Sequence, residues 1–140
     1  MGSRQVMQCY AGVEVAESNK PRHLVLVVED EILIRLNSVD MIRDLGFEVI
    51  EAVDADEAVY LLESIPGIEV VFTDIQMPGS MDGLLLAAFV SDRWPPVALL
   101  ITSGRERPLA ADMPAGARFI PKPYSRYELG EQLHALAGRG

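Results

Sequence analysis

Apolar and polar positions along this chain fall into blocks of two lengths. Short apolar runs of strand length recur at "HLVLVV" (23–28), "EVVFT" (69–73), "VALLI" (97–101) and "ARFI" (117–120), and "FEVIEA" (47–52) alternates with period two. Between them lie longer segments with helical spacing. In "EILIRLNSVDMIRDLG" (31–46) Ile32, Leu33, Leu36, Val39, Ile42 and Leu45 form one stripe, and Gly46 is a suitable stop. "DADEAVYLLESIPG" (54–67) opens on an Asp54/Glu57 capping box and closes on Pro66-Gly67. "MDGLLLAAFVSDRW" (81–94) ends before Pro95-Pro96, and "RERPLAADMPAG" (105–116) reads as a weak helix interrupted by proline. The last helix carries a Ser125/Glu128 capping box, a Tyr124–Leu129 staple and a buried stripe of Leu129, Leu133 and Leu136.

Five strand-then-helix units follow one another. Nearly continuous apolar strands imply burial on both faces, hence a parallel sheet covered by helices. Five units are too few for an eight-fold barrel. The expected fold is therefore α/β: a flavodoxin-like (βα)5, doubly wound, five-stranded parallel sheet of order 2-1-3-4-5 with helices on both faces. Pro121 and Pro123 suit a fifth strand at the edge, where a missing N–H is tolerated. A cis bond before Pro123 would turn Lys122 inward.

Composition narrows the function. With 49% hydrophobic and 24% charged residues in 140, the chain fits one globular domain. We expect a domain over residues 23–138, preceded by a flexible tail over 1–22 that has no sustained period and contains the sole Cys9, a spectator thiol. The net charge of -9 argues against a nucleic-acid surface. No run is long enough to span a membrane and no signal peptide is evident, so the expected location is the cytoplasm.

In open α/β sheets, chemistry collects at the carboxyl ends of the strands. There this sequence places Glu29-Asp30-Glu31, Asp74, Thr102-Ser103-Gly104 and Lys122. Clustered carboxylates repel unless a cation sits among them, and oxygen ligands without His or Cys favour Mg²⁺. Lys122 adds a point charge for an anion and Thr102 a hydroxyl, a set suited to placing a phosphoryl group on a carboxylate. Plainer roles exist for each residue alone. The acidic trio could start a helix, Asp74 could form a turn, Thr102 and Ser103 could cap, and Lys122 could be merely solvated. Their arrival at one sheet edge favours the chemical role.

The pieces "VLVVEDE" (25–31), "VVFTDIQMPGSMDG" (70–83), "LLITSG" (99–104) and "FIPKPY" (119–124) together resemble the receiver domain of two-component response regulators, the CheY-like family. The resemblance covers residues 24 to about 137. It implies that Asp74 is the phosphoacceptor. It further implies that Glu29 and Asp30 hold Mg²⁺, together with Asp74 and the backbone carbonyl of Gln76. Lys122 would pair with the phosphoryl group, Thr102 would be the switch hydroxyl, and Phe119 its aromatic partner. The implied partners are a sensor histidine kinase or histidine phosphotransfer protein upstream and an unknown protein downstream. The implied state is a monomer or weak dimer, and the implied turnover is confined to its own phosphorylation and dephosphorylation. The chain would be a stand-alone receiver or part of a longer regulator or hybrid kinase.

Three departures from the family pattern bear on this. Glu29 stands where Asp is more usual. "MPGSMDG" has one residue more than the common loop, placing Ser80 beside the acceptor. The segment between the fourth and fifth strands is short and contains Pro108 and Pro114, so its helix should be stunted. Two other functions compete. An aspartate-nucleophile phosphatase of the haloacid-dehalogenase type needs a second acid two residues after the first, and that position is Gln76. A phosphorylation-independent interaction module on the same fold would usually have lost part of the acidic set, all of which is present.

Overall fold

The computed structural model describes residues 22–105 and 107–138. The elements are β1 (Leu24–Val28), α1 (Ile32–Asp44), β2 (Glu48–Ala52), α2 (Ala55–Ser64), β3 (Ile68–Asp74), α3 (Gly83–Arg93), β4 (Ala98–Ser103), a 3-10 turn (Ala110–Asp112), β5 (Arg118–Pro121) and α4 (Arg126–Leu136). The tail expected over residues 1–22 lies, except for Arg22, outside the described residues. Among the described residues no helix is long and apolar enough to cross a membrane.

The five strands pair in parallel in the order β2-β1-β3-β4-β5, as the apolar runs predict. Because successive strand side chains point to opposite faces, the sheet feeds two cores. One contains Leu26, Val28, Val71, Leu99 and Ile101 with Ala58 and Leu62 of α2 and Leu86 and Val90 of α3. The other contains Val25, Val27, Val70, Phe72 and Leu100 with Val39 and Ile42 of α1 and Leu129 and Leu133 of α4. Helices therefore cover both faces, and each fully buried aliphatic side chain contributes roughly 1.5–3 kcal/mol.

Local signals set the helix starts. Asp54 and Asp82 cap α2 and α3, accepting from the N–H groups of Glu57 and Leu85 at 2.9 Å each. Ser125 and Glu128 form the full reciprocal box at α4. At α2 the box is offset: the Glu57 carboxylate accepts from Val53, one residue before the cap, at 2.8 Å. Gly46 follows α1 with φ +99°, the left-handed conformation that closes a helix.

Two expectations are corrected. Where a helix is expected over 105–116, the described residues form a single 3-10 turn, Ala110–Asp112. Pro108 and Pro114 leave five residues between them, fewer than a helix needs to offset its nucleation. The stripe on α1 is buried only in its second half. Ile32, Leu33 and Leu36 are 59%, 79% and 49% exposed, while Val39 and Ile42 are buried. An α1 that returns antiparallel to the strands begins at their carboxyl ends, and its first turns overhang the sheet.

Gly83, the first residue of α3, shows how tightly the β3–α3 connection is built. A Cβ there would collide with the backbone carbonyl of Asp74. The backbone N–H of Gly83 also donates to the Ile75 carbonyl at 2.9 Å. Gly83→Ala should lower stability by about 1–3 kcal/mol through this overpacking, although alanine is the better helix former. Urea unfolding of the variant beside wild type checks the sign.

Candidate functional site

Glu29 follows β1, Asp74 ends β3, Thr102 lies near the end of β4, and Lys122 follows β5. Parallel pairing brings them to one edge, and Asp74 is the direct register partner of Thr102. The Ile75 N–H donates to the Thr102 carbonyl and the Lys122 N–H to the Ser103 carbonyl, each at 3.0 Å, so the pairing runs on past the strand ends. The Lys122–Pro123 peptide is cis.

The Lys122 ammonium bridges two buried carboxylates. It donates to Glu29 Oε1 at 3.0 Å and to Asp74 Oδ2 at 3.2 Å. Glu29 Oε2 accepts from the Glu31 N–H at 3.2 Å. The other oxygen of Asp74, Oδ1, is buried without a hydrogen-bond partner, and so is Thr102 Oγ1. Carboxylate oxygens of Glu29, Asp30 and Asp74 lie within 4.8 Å of one another. Asp30 is exposed and Glu29 and Asp74 are buried.

These positions bear on the plain roles. Glu31 occupies the cap position of α1 but makes no side-chain cap bond, and Glu29 turns to Lys122 instead. Thr102 caps nothing. Lys122 is held by two ion pairs rather than solvated. Gln76 sits in the loop two residues past Asp74, and its side-chain Oε1 accepts from Ser103 Oγ at 2.8 Å. Its side-chain oxygen is thus engaged, and the group expected to act as a ligand is its backbone carbonyl. Phe119 is half-buried on β5, one position before the register partner of Thr102. The Ser80 hydroxyl donates to Asp56 at 2.7 Å, tying the longer loop to the first turn of α2.

Three charges of one sign surround one of the other, and the titrations reflect it. Burial pushes the Glu29 carboxyl up, and the neighbouring Asp74 charge adds to this, against the lowering effect of Lys122 and the Glu31 N–H. Burial alone would lower Lys122, but its bond to Glu29 and the charges of Asp74 and Glu29 outweigh that and raise it. The charge on Lys122 is therefore favoured and the charge on Glu29 opposed. By linkage, Lys122 contributes stability at all pH values below its ordinary range and loses it as pH rises through the raised value. An ionised Glu29 costs stability above its raised value, and acid relieves that cost. A vacant lone pair on Asp74 Oδ1, a charge deficit and an oxygen-only donor set together fit a hard divalent cation.

Two supports were not foreseen. Arg35 donates to the Glu29 carbonyl and to the Glu51 carboxylate, at 2.9 Å each, and fixes the β1–α1 junction. The Tyr124 and Ser38 hydroxyls are 2.6 Å apart, joining the segment after Lys122 to α1. Burial pushes the Tyr124 phenol up. Arg35 lies four residues after Glu31 and reads as an ordinary helical ion pair. The Tyr124 contact joins residues 86 positions apart, and no local signal announces it. Beside the site a groove of about 510 Å³ is lined by Leu33, Asn37, Met41, Gly104, Lys122 and Tyr124.

The geometry agrees with the comparisons to known proteins. The family model for the response regulator receiver domain matches residues 25–134. The sensor kinase CckA of Brucella abortus is 34% identical over 128 residues, covering 89% of this chain and 13% of that protein. The transcriptional regulatory protein PdtaR of Mycobacterium tuberculosis is 35% identical over 127 residues, covering 89% of this chain and 60% of that protein. This chain thus spans less than two thirds of the length of these relatives, 13% of one and 60% of the other. Among solved structures, the receiver domain of the hybrid histidine kinase CckA has 30% identity and a TM-score of 0.68, covering 81% of this chain and 97% of that one. The regulator TrrA of Thermotoga maritima, solved in complex with Mg(2+)-BeF, has 25% identity and a TM-score of 0.73 and covers 81% and 98%. Fold, site and sequence converge, and the chain belongs to the response regulator receiver domain family.

Proposed function

We propose that this chain accepts a phosphoryl group on Asp74 within a two-component phosphorelay and changes shape in response. The observation that carries the reading is the state of the Asp74 carboxylate. One oxygen is held by Lys122 and the other is buried without a partner, among two further carboxylates. A purely structural aspartate at a strand end would satisfy both oxygens or expose them to water.

Glu29, Asp30, Asp74 and the Gln76 carbonyl would hold Mg²⁺. When bound, the ion neutralises charge on the transferring phosphoryl oxygens. The Asp74 carboxylate attacks phosphorus of a phosphohistidine, the P–N bond breaks, and the imidazole leaves with the electron pair. Lys122, already beside Asp74, supplies a positive charge to the anion that forms. The product carries roughly one to two additional negative charges and strong acceptors. The unpartnered Thr102 hydroxyl, on the register partner of Asp74, is an uncommitted donor that can answer them. Its movement would vacate space for Phe119 and reshape the face around β5 that a downstream partner reads. Turnover is limited to the protein's own phosphorylation and dephosphorylation, so it is not an enzyme in the ordinary sense.

A sensor histidine kinase or histidine phosphotransfer protein is the proposed donor. In support, Leu33 lines the groove beside Lys122, and Ile32 and Leu36 on the same helix are also exposed, an apolar surface suited to a partner's helices. The proposed location is the cytoplasm, as a monomer or weak dimer. The single 3-10 turn between β4 and β5 favours a second reading, an interaction module that works without phosphorylation, since it shortens a face the family uses for output.

Incubation with acetyl phosphate should add one phosphoryl mass to the intact protein, only with Mg²⁺ present and not in Asp74→Asn. Absence of the adduct in wild type, with Mg²⁺ binding shown separately, would favour the second reading. Lys122→Met removes a competing cation from the carboxylates and should tighten Mg²⁺ binding about tenfold by calorimetry, while slowing adduct formation. Thr102→Ala should keep the adduct. It should also lose most of the change that phosphorylation induces at the Phe119 ring, read by fluorine NMR of labelled phenylalanine.

A further inference from the structure

Phe119 does not stand free. The Arg107 guanidinium lies over its ring, with Cζ 5.0 Å from the centroid. Arg107 sits in the connection after β4, which Pro108 and Pro114 keep from becoming a helix. Among the described residues no carboxylate pairs with Arg107, so the ring face is its partner there. The ring itself is half-buried against the core on the α2 and α3 side. Its register partner is Ile101, the residue before Thr102. The contact therefore lies on the aromatic side chain that the switch must move, and nothing in the proposed phosphoryl chemistry requires it.

We propose that Arg107 is a positioning residue that latches Phe119 in its resting orientation and so sets how readily phosphorylation switches the domain. The inference rests on the receiver reading above and adds its regulation. A guanidinium over a ring face is attracted by the ring quadrupole, and the attraction is lost when the ring turns into the space beside Thr102. Arg107 thus weights the resting state and leaves the acceptor site untouched. Coupling is reciprocal: whatever favours the resting state weakens binding of any anion that favours the switched state. The sign distinguishes a latch from a bystander charge. A cation acting only by its charge would attract an anion, so its removal would weaken binding. Removal of a latch strengthens it.

The test is equilibrium binding of beryllium fluoride, a phosphoryl mimic, in saturating Mg²⁺, by calorimetry on the full chain. Wild type, Arg107→Ala, Phe119→Leu and the double variant are compared. Arg107→Ala should bind about two- to fivefold more tightly than wild type, the population shift that an exposed cation–π contact supports. In the Phe119→Leu background, Arg107→Ala should have no effect. Arg107 is exposed and its replacement spares the core; Arg107→Gln provides a second neutral variant with the same expectation. Equal or weaker binding by Arg107→Ala overturns the latch, as does the same tightening without the ring. If wild type itself binds no beryllium fluoride, the receiver reading fails and the latch falls with it. If wild type binds and Arg107→Ala does not differ, the latch alone fails.

Discussion

The ammonium of Lys122 holds the functional edge of this fold together. Glu29 and Asp74 are both buried, at 4% and 5% exposure, and two adjacent buried carboxylates cannot both stay ionised without a counter-charge. Lys122 reaches them from the far side of the sheet, since β5 is an edge strand and β1 and β3 are central. The contact thus joins the ends of three strands. It remains incomplete: one ammonium faces three carboxylates, and Asp74 Oδ1 accepts from nothing. That deficit distinguishes the edge from a neutralised structural ion pair. A fully neutralised cluster would be more stable and would have no reason to recruit a cation.

The scaffold behind this edge is rigid where the chemistry needs it. Asp74 is fixed by its own strand, by the close approach of Gly83 to its carbonyl and by the Thr73 hydroxyl, which donates to that carbonyl at 2.9 Å. Lys122 is fixed through the Tyr124–Ser38 contact and the packing of Tyr124 on Phe72, ring centroids 5.6 Å apart. The unsatisfied group on β4 is Thr102 Oγ1, which sits beside Asp74 with no bond to break before it moves. An uncommitted hydroxyl at the same edge as a doubly paired lysine fits the proposed division between a part that responds and a part that holds.

Most of this edge was legible because burial on two faces writes strands as apolar runs, and parallel order forces their carboxyl ends together. Asp74, Lys122, Glu29 and Thr102 were found by that rule before any contact was known. What stayed hidden depends on tertiary placement. The stripe on α1 has regular spacing from Ile32 to Leu45, and spacing cannot tell that its first turns overhang the sheet. The bond from Ser80 to Asp56 on α2 joins residues 24 positions apart, and no local signal marks it. The Arg107 contact with Phe119 joins two loop-adjacent residues twelve positions apart, with no periodicity to mark it.

The short β4–β5 connection gives a physical reason for that contact to matter. A full helix there would pack its own apolar face onto the sheet and hold Phe119 by burial. Here the prolines leave one 3-10 turn, Leu109 is 71% exposed, and the ring is only half-covered. A guanidinium over an aromatic face replaces some of the missing cover with a weaker and more easily broken contact. A weak contact on a two-state side chain sets a balance that a modest free-energy change can tip, whereas deep burial would fix it. The loss of the helix and the presence of Arg107 are thus two sides of one arrangement, and on the proposed reading it would hold the aromatic residue at rest while leaving it free to move when charge appears on Asp74.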